Sequence, residues 1–179
     1  MRQICGLGEV PTCWTYPSER ENAAVPSAKP DTAPFWDRKT LDEMSREEWE
    51  SLCDGCGKCC LLKLEDVETG ALATTNVVCR LFNRRTGACR DYANRTTAVP
   101  GCIALTPQTI SELDWLPETC AYRRLDRGEG LPDWHPLVTG RRASTRESGH
   151  FVGPTSVSER RVREADLVDH VTAWLEPAP

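Results

Sequence analysis

The pattern of apolar and polar residues predicts a helix and a β-hairpin on the two sides of a glycine- and cysteine-rich loop. Apolar residues recur at approximately helical spacing between positions 40 and 52, and Ser45 followed three residues later by Glu48 is the pattern of a capping box. Residues 61–65 alternate apolar and charged side chains, and residues 71–78 are rich in threonine and valine. Two such stretches joined by a short turn predict a β-hairpin.

Three further helices are predicted downstream of the hairpin. Pro107 occupies a favourable first position for a helix that ends near Leu113, and a second helix is expected over residues 118–127. Residues 134–140 are expected to form a loop or an extended stretch. The apolar residues of segment 165–174 fall on one helical face, which predicts a terminal helix.

Short elements separated by many turns predict an α+β fold: a small, loop-rich single domain in which short strands and helices surround a cysteine metal cluster. The chain has 13 prolines and 12 glycines, and a small apolar core spread among loops usually needs a metal or disulfide staple. Residues 1–34 predict a flexible N-terminal leader, whose Cys5 and Cys13 are expected to be free thiols. The metal-binding domain is expected to span residues 35–176.

Eight cysteines gather in the middle of the chain, four of them within eight residues. The candidate metal ligands are Cys53, Cys56, Cys59, Cys60, Cys79, Cys89, Cys102 and Cys120. Thiolates are soft ligands that select zinc, iron–sulfur clusters or copper(I), and a C-x-x-C pair holds one metal from a single loop whose glycine turns backbone amides toward sulfur. Eight thiols equal two four-cysteine sets, or one iron–sulfur cluster with four thiols to spare, so the expected cofactor is zinc or iron.

The backbone conformation around a cysteine affects which ion it can bind and how readily its thiol ionises. Neighbouring side chains of an extended segment point to opposite sides, so we expect Cys59 and Cys60 not to bind one ion together. Cys120 falls in the first turn of the predicted helix over residues 118–127. Backbone N–H groups and the helix dipole favour a thiolate in such a turn.

Polar residues near the cysteines have more ordinary explanations. Asp54 and Lys58 are expected to tune the charge beside the thiols. His135 is expected to pack against its neighbouring tryptophan and to bond the backbone rather than to serve as a ligand, and the two other histidines are expected at the surface. Arg80 and Arg90, each following a cysteine, either offset thiolate charge or form surface ion pairs.

The charge pattern excludes some partners and favours a compartment. The net charge is −5, and the basic clusters are scattered pairs that indicate solvated surface arginines rather than a nucleic-acid face: Arg84-Arg85, Arg123-Arg124, Arg141-Arg142 and Arg160-Arg161. The sequence has no apolar run approaching the ~20 residues that cross a membrane and no secretory signal pattern. We therefore expect a cytoplasmic location, where clustered cysteines bind metals more often than they form disulfides.

Several motifs resemble those of the YcgN-family cysteine-cluster proteins, which belong to the broader YkgJ-like group of zinc- or iron-chelating domains. The matching stretches are Phe35-Trp36 and residues 39–44, 48–60, 75–80, 89–92, 115–123 and 134–137. The resemblance implies that the cysteines chelate a metal ion, without implying a particular biochemical role. The chain departs from the family pattern at Gly87, where a further cysteine would precede Cys89 by two residues.

These observations favour a non-catalytic metal-binding protein, since the sequence contains no phosphate-binding glycine loop, catalytic triad order or zinc-protease helix. The metal would hold the loops in place and serve storage, delivery or a partner interface. Two other functions stay open at this point. One is an iron–sulfur redox enzyme or electron carrier, and the other is a zinc-stapled interaction module.

Overall fold

A computed structural model describes residues 32–175 of the 179-residue chain. The predicted leader 1–34, with Cys5 and Cys13, lies outside these residues except for its last three positions. The α-helices in this part of the chain are α1 (Phe35–Arg38), α2 (Arg46–Ser51), α3 (Arg95–Ala98), α4 (Ala121–Asp126), α5 (Pro136–Thr139) and α6 (Ser144–Glu147). The strands are β1 (Leu61–Glu65), β2 (Leu72–Val78), β3 (Val157–Ser158) and β4 (Val171–Leu175). Within the described segment, no helix combines the length and apolarity needed to span a bilayer.

The sheet is built around β2, which pairs on both edges. Strand β1 runs antiparallel to it on one edge, and Lys63 lies opposite Thr74. On the other edge, β3 runs parallel beside the end of β2, and β4 runs antiparallel beside its start. Ala73, Thr75 and Val77 are fully buried, which gives the period of two expected of a strand. The predicted hairpin and the α+β class are therefore confirmed.

A separate apolar core lies between the N-terminal helices and α4. Its buried members are Leu52, Ile110, Leu116, Ala121 and Tyr122. The Tyr122 hydroxyl donates a hydrogen bond of 2.9 Å to the carbonyl of Trp49, so the one polar atom of this aromatic side chain is satisfied. Since Leu52 and Ala121 directly adjoin Cys53 and Cys120 in sequence, this core fixes the backbone next to two candidate ligands.

The capping box at the start of α2 is confirmed. The Glu48 N–H donates to the Ser45 hydroxyl at 3.2 Å, and the Ser45 N–H donates to the Glu48 carboxylate at 2.7 Å. These bonds satisfy two donors that would otherwise have no partner in the first turn. Helix α2 then ends directly before Leu52 and the cysteine loop.

The predicted terminal helix over 165–174 is wrong. Residues Glu164–His170 form 3₁₀ turns, and Val171–Leu175 forms strand β4. The sequence of β4 contains valine, threonine and tryptophan, which fit a pleated surface, and β2 offers it an antiparallel partner. Sheet pairing therefore overrides the helical periodicity of this segment.

Three shorter predictions also need correction. Only Ile110–Glu112 of the helix expected over 107–113 is helical, as a 3₁₀ turn, because the Thr109 hydroxyl bonds the backbone of Thr106 instead. The helix expected over 118–127 begins three residues later, as α4. The stretch 134–140, expected to be a loop or extended, contains α5.

Candidate metal centre

Glycines give the cysteine loop its turns. Gly55 and Gly57 have φ angles of 71° and 81°, a left-handed conformation that glycine adopts at little cost. The backbone N–H of Gly55 lowers the pKa of the Cys53 thiol and that of Lys58 lowers the pKa of the Cys56 thiol, in both cases against the larger effect of burial. Each N–H belongs to the residue two positions after its cysteine.

The same arrangement recurs outside the loop. The N–H of Leu81 donates to the sulfur of Cys79 at 3.5 Å, again two residues on. Burial raises the pKa of Cys120, and the nearby backbone N–H groups of Arg123 and Tyr122 oppose this rise. Cys120 is the N-cap residue of α4 rather than a residue of its first turn, and its side chain forms no capping hydrogen bond. Backbone N–H groups near a sulfur stabilise a thiolate over a thiol.

Five thiols form a first thiol group, consisting of Cys53, Cys56, Cys59, Cys60 and Cys120. Cys59 connects the group, since it interacts electrostatically with each of the other four. Burial raises the pKa of Cys53 to about 12, and the neighbouring Cys59 contributes to this rise. Burial also raises the pKa of Cys56 well above its ordinary range. These thiols therefore resist ionisation unless a positive charge compensates them.

The remaining three described cysteines, Cys79, Cys89 and Cys102, form a second thiol group. Cys79 interacts electrostatically with Cys102 and Cys89, and Cys102 interacts with Cys89. Burial raises the pKa of both Cys79 and Cys102, while Arg95 lowers that of Cys102. Cys102 also interacts with Cys59, so the two groups are neighbours. These electrostatic interactions divide the eight described thiols into sets of five and three, and the number of metal sites stays a prediction.

The thiols gather without forming a finished coordination sphere. All eight described cysteines are free, and none is joined to another in a disulfide. Among residues 32–175, no group of three or more His, Cys, Asp or Glu side chains is arranged to hold one metal ion.

Asp54 is a further indication of a cation site, which the cysteine spacing alone did not provide. One carboxylate oxygen, Oδ1, accepts a 3.0 Å hydrogen bond from the N–H of Cys56. The other, Oδ2, is buried and has no hydrogen-bond partner within the described residues. Burying a carboxylate oxygen without a partner is costly, and Asp54 acts electrostatically on four thiols of the first group. A bound cation would satisfy the carboxylate and the thiols together.

Lys63 provides a positive charge beside the adjacent cysteines. The Lys63 ammonium lowers the pKa of Cys59, a smaller effect than those of the hydrogen bond with Cys60 and of burial, which raise it. The ammonium donates to the carbonyl of Leu61 at 3.0 Å and lies over the ring of Trp115. It offsets the charge of only a fraction of five thiolates, so the soft donor set still fits a metal cation.

Cys59 and Cys60 differ from the expected extended arrangement. Lys58–Cys60 forms a 3₁₀ turn, and the neighbouring Cys60 thiol, followed by burial, raises the pKa of Cys59 well above its ordinary range. The backbone carbonyl of Cys60 meanwhile accepts a 2.9 Å bond from the N–H of Cys79. The extended backbone assumed for this pair is therefore wrong, because the segment turns before β1 begins, and the expectation that the two thiols do not bind one ion together stays a prediction.

The three histidines have structural partners. His135 is fully buried, its Nε2 lies 3.0 Å from the carbonyl of Leu52, and its Nδ1 accepts from the N–H of Leu137 at 3.1 Å. Both ring nitrogens are thus engaged, as expected for a packed rather than a ligating histidine. His150 and His170, which were expected at the surface, both keep part of their area exposed. They are half-buried, and they contact Lys58 and Asn76 respectively.

Gly87 has a conformational and a packing role in this chain. Its φ is 79°, and a Cβ atom placed on it would lie 2.4 Å from the carbonyl oxygen of Gly55. Gly87 therefore lets the turn before Cys89 lie directly against the cysteine loop. A cysteine at this position would require the two backbones to separate.

Comparisons with known proteins agree with this geometry. Residues 52–121 match the family model CxxCxxCC, described as a "Putative zinc- or iron-chelating domain". A UPF0260 protein of Rhizorhabdus wittichii is 60% identical over 138 residues, covering 77% of this chain and 93% of the relative. UPF0260 proteins of Gluconobacter oxydans and Caulobacter vibrioides are each 52% identical over 143 residues, covering 80% and 79% of this chain and 86% and 88% of theirs. No solved structure matches the chain.

Proposed function

Because the chain belongs to the UPF0260 family and matches a zinc- or iron-chelating domain, we propose that it is a non-catalytic metal-binding protein. The observation that carries this proposal is the buried Oδ2 of Asp54, which has no partner among the described residues and belongs to a carboxylate that acts electrostatically on four thiols of the first group. A carboxylate and five thiols concentrate negative charge as the thiols ionise. A cation is the ligand that such a site would bind most favourably.

The eight described cysteines are the proposed ligands, divided between the first and second thiol groups. The N–H of Leu81 bonds the sulfur of Cys79, and backbone N–H groups favour the thiolate forms of Cys53, Cys56 and Cys120. Hydrogen bonds to ligand atoms orient them in the same way around metal centres. Zinc and iron both suit thiolate donors. The bound metal would supply folding free energy, since thiolate ligands far apart in sequence are then tied together.

The proposal includes a compartment and a domain boundary. Clustered cysteines that bind a metal rather than pair as disulfides are typical of reducing compartments, so the proposed location is the cytoplasm. The metal-binding domain would extend over residues 35–176, with residues 1–34 as a leader that contributes no ligand. Within this domain the metal serves storage, delivery or a partner interface.

Metal analysis of protein purified without air tests the proposal. The expected result is stoichiometric zinc or iron in the native chain, a large loss of metal in Cys56→Ser, and unchanged metal in the matched control Cys13→Ser. Thermal unfolding of each variant shows whether a loss of metal reflects a lost ligand or a general failure to fold. Full metal content in a folded Cys56→Ser variant would refute the assignment of Cys56.

The same preparation separates the two alternative functions. A brown protein with stoichiometric iron and reversible reduction would support an iron–sulfur redox role. A colourless protein with stoichiometric zinc would exclude that role and leave metal storage, delivery or a zinc-stapled module. Removing the metal with a chelator should raise hydrogen exchange across residues 53–120, since the apolar core near the cysteines is small. Unchanged exchange would show that the metal does not support the fold.

A further inference from the structure

A positively charged cleft lies beside the second thiol group. Its volume is about 720 Å³, within the ~300–1,000 Å³ typical of sites for small ligands. The arginines that line it are Arg80, Arg84, Arg85, Arg90, Arg160 and Arg161. Among the described residues, no aspartate or glutamate lines this cleft. Six like charges in one cleft repel each other, so the arrangement favours a bound anion.

Tertiary structure brings these arginines together from separate places in the chain. Arg84 and Arg85 lie in the turn that precedes Cys89, and Arg160 and Arg161 lie in the 3₁₀ turn that follows β3. The parallel pairing of β3 with the end of β2 places these segments side by side. Two of the four arginine pairs that the sequence presented as scattered are therefore neighbours in the fold.

Two of the six arginines are fixed by the protein itself. Arg80 forms an ion pair of 2.9 Å with Glu159, and the Nε of Arg84 donates to the carbonyl of Gly153 at 3.1 Å. These contacts shape the wall of the cleft. Within residues 32–175, Glu159 is the one carboxylate paired with them, so the ion pair offsets a single positive charge.

The other four guanidinium groups are available to a ligand. Arg85, Arg90, Arg160 and Arg161 are exposed, and their side chains form no hydrogen bond or ion pair with any of residues 32–175. The whole chain carries a net charge of −5, so this concentration of positive charge is local. Ordinary solvated arginines would be expected near acidic partners on a protein of this composition.

We propose that the six-arginine cleft binds a small anion carrying two or more phosphoryl groups. Guanidinium forks match the oxygens of phosphate in pairs. Two phosphoryl groups carry about three to four negative charges near neutral pH, which matches the four arginines that have no partner among the described residues. A long nucleic acid is disfavoured, because an acidic protein would repel the strand on either side of so short a positive patch. The site is independent of the proposed metal-binding function.

Isothermal titration of the full-length chain with pyrophosphate tests this site. Saturable binding of one pyrophosphate, stronger than binding of orthophosphate or citrate and weakened by added salt, is expected. The double variant R160Q/R161Q should bind at least about tenfold more weakly, because charge-assisted hydrogen bonds are among the strongest in proteins. If that variant is unstable by thermal unfolding, R85Q/R90Q provides the same test from the other wall of the cleft.

The control variant R141Q/R142Q removes the same charge from a pair outside the cleft and should retain the native affinity. Pyrophosphate can also bind a metal held by the cysteines. Comparing the two double variants separates this chelation from binding in the cleft. Heat from chelation would be the same in R160Q/R161Q and R141Q/R142Q, and such equality would overturn the proposal. Absent binding, equal affinity for citrate, or binding of a single-stranded oligonucleotide in place of pyrophosphate would overturn it as well.

Discussion

The first and second thiol groups have the same donor atoms but different surroundings. The first group lies beside the apolar core: Cys53 follows the fully buried Leu52, and Cys120 precedes the buried Ala121. The second group lies near the end of β2, where Cys79 follows the strand, and next to arginines such as Arg95, which lowers the pKa of Cys102 against the larger effect of burial. One group thus adjoins the core while Cys53 and Cys59 remain exposed to solvent, and the other lies between the sheet and a positively charged surface.

This difference suggests different roles for the two groups. Metal bound to the first group would hold α2, the cysteine loop and α4 together, because its ligands come from both sides of the core. Metal bound to the second group would tie together loops outside that core. We therefore expect the first group to dominate stability and the second to be more tolerant of change.

Replacing one cysteine in each group gives the largest expected effect. Cys56→Ser should lose the metal of the first group and destabilise the fold strongly, since metal binding and folding are coupled. Cys89→Ser should lose only the metal of the second group and unfold at a higher temperature than Cys56→Ser. Metal content and thermal unfolding of both variants check this. Complete metal loss in both would show that all eight thiols serve one site.

His135→Ala should be the next most damaging change. It removes a fully buried side chain and leaves the carbonyl of Leu52, the residue before Cys53, without its partner. A loss of about 2–4 kcal/mol of unfolding free energy is expected, measured by urea denaturation. The control His170→Ala removes a half-buried histidine bonded to Asn76 and should cost about 1 kcal/mol or less. Equal losses would mean that His135 does not specifically support the first group.

The same histidine predicts a pH dependence. Burial lowers the pKa of His135 below its ordinary value of 6.5, although the hydrogen bond with Leu52 opposes this effect. In acid the unfolded chain would therefore bind a proton that the folded chain does not, so stability should fall as the pH drops below about 6.5. His135→Gln, which cannot be protonated, should show a flatter stability profile between about pH 7 and pH 5. An unchanged slope would exclude His135 as the cause.

Gly57 places the cysteine loop of the first thiol group against Phe82, close to Cys89 of the second group. Its replacement should lower the stability by an intermediate amount. A Cβ atom there would lie 2.3 Å from the ring of Phe82, which pairs with Cys89 across an isolated bridge. Gly70 has a similar positive φ of 71°, but a Cβ atom on it would meet no atom within 4 Å among the described residues. Gly70→Ala should therefore cost about 1 kcal/mol for backbone strain alone, and Gly57→Ala about 1–3 kcal/mol more for overpacking. Urea denaturation of both variants measures the difference, and equal losses would show that the Phe82 contact is relaxed.

Ser45→Ala should have the smallest effect. It removes the N-cap of α2, which leads into the first thiol group, and should cost about 1 kcal/mol without changing metal content. Thermal unfolding and metal analysis of the variant are the measurements. A loss of metal would indicate that the position of α2 controls the cysteine loop more strongly than the core does.

Sequence patterns predicted the parts of the fold that depend on near neighbours. The capping box of Ser45 and Glu48, the hairpin of β1 and β2, and the glycine turns beside the cysteines each involve residues a few positions apart. The terminal segment was mispredicted because β4 depends on pairing with β2, about 100 residues earlier in the chain. Helical periodicity could not reveal that a strand partner was available.

The sequence by itself determined the donor chemistry of this protein: eight cysteines of a metal-chelating type, four of them in one glycine-turned loop. Only the tertiary structure decided which thiols are neighbours, that Asp54 is buried beside them without a partner for one oxygen among the described residues, and that separate arginine pairs share one cleft. The physical reason is the distance along the chain over which each property is decided. Ligand softness and turn conformation are local properties, whereas burial and charge proximity depend on which distant segments the fold packs together.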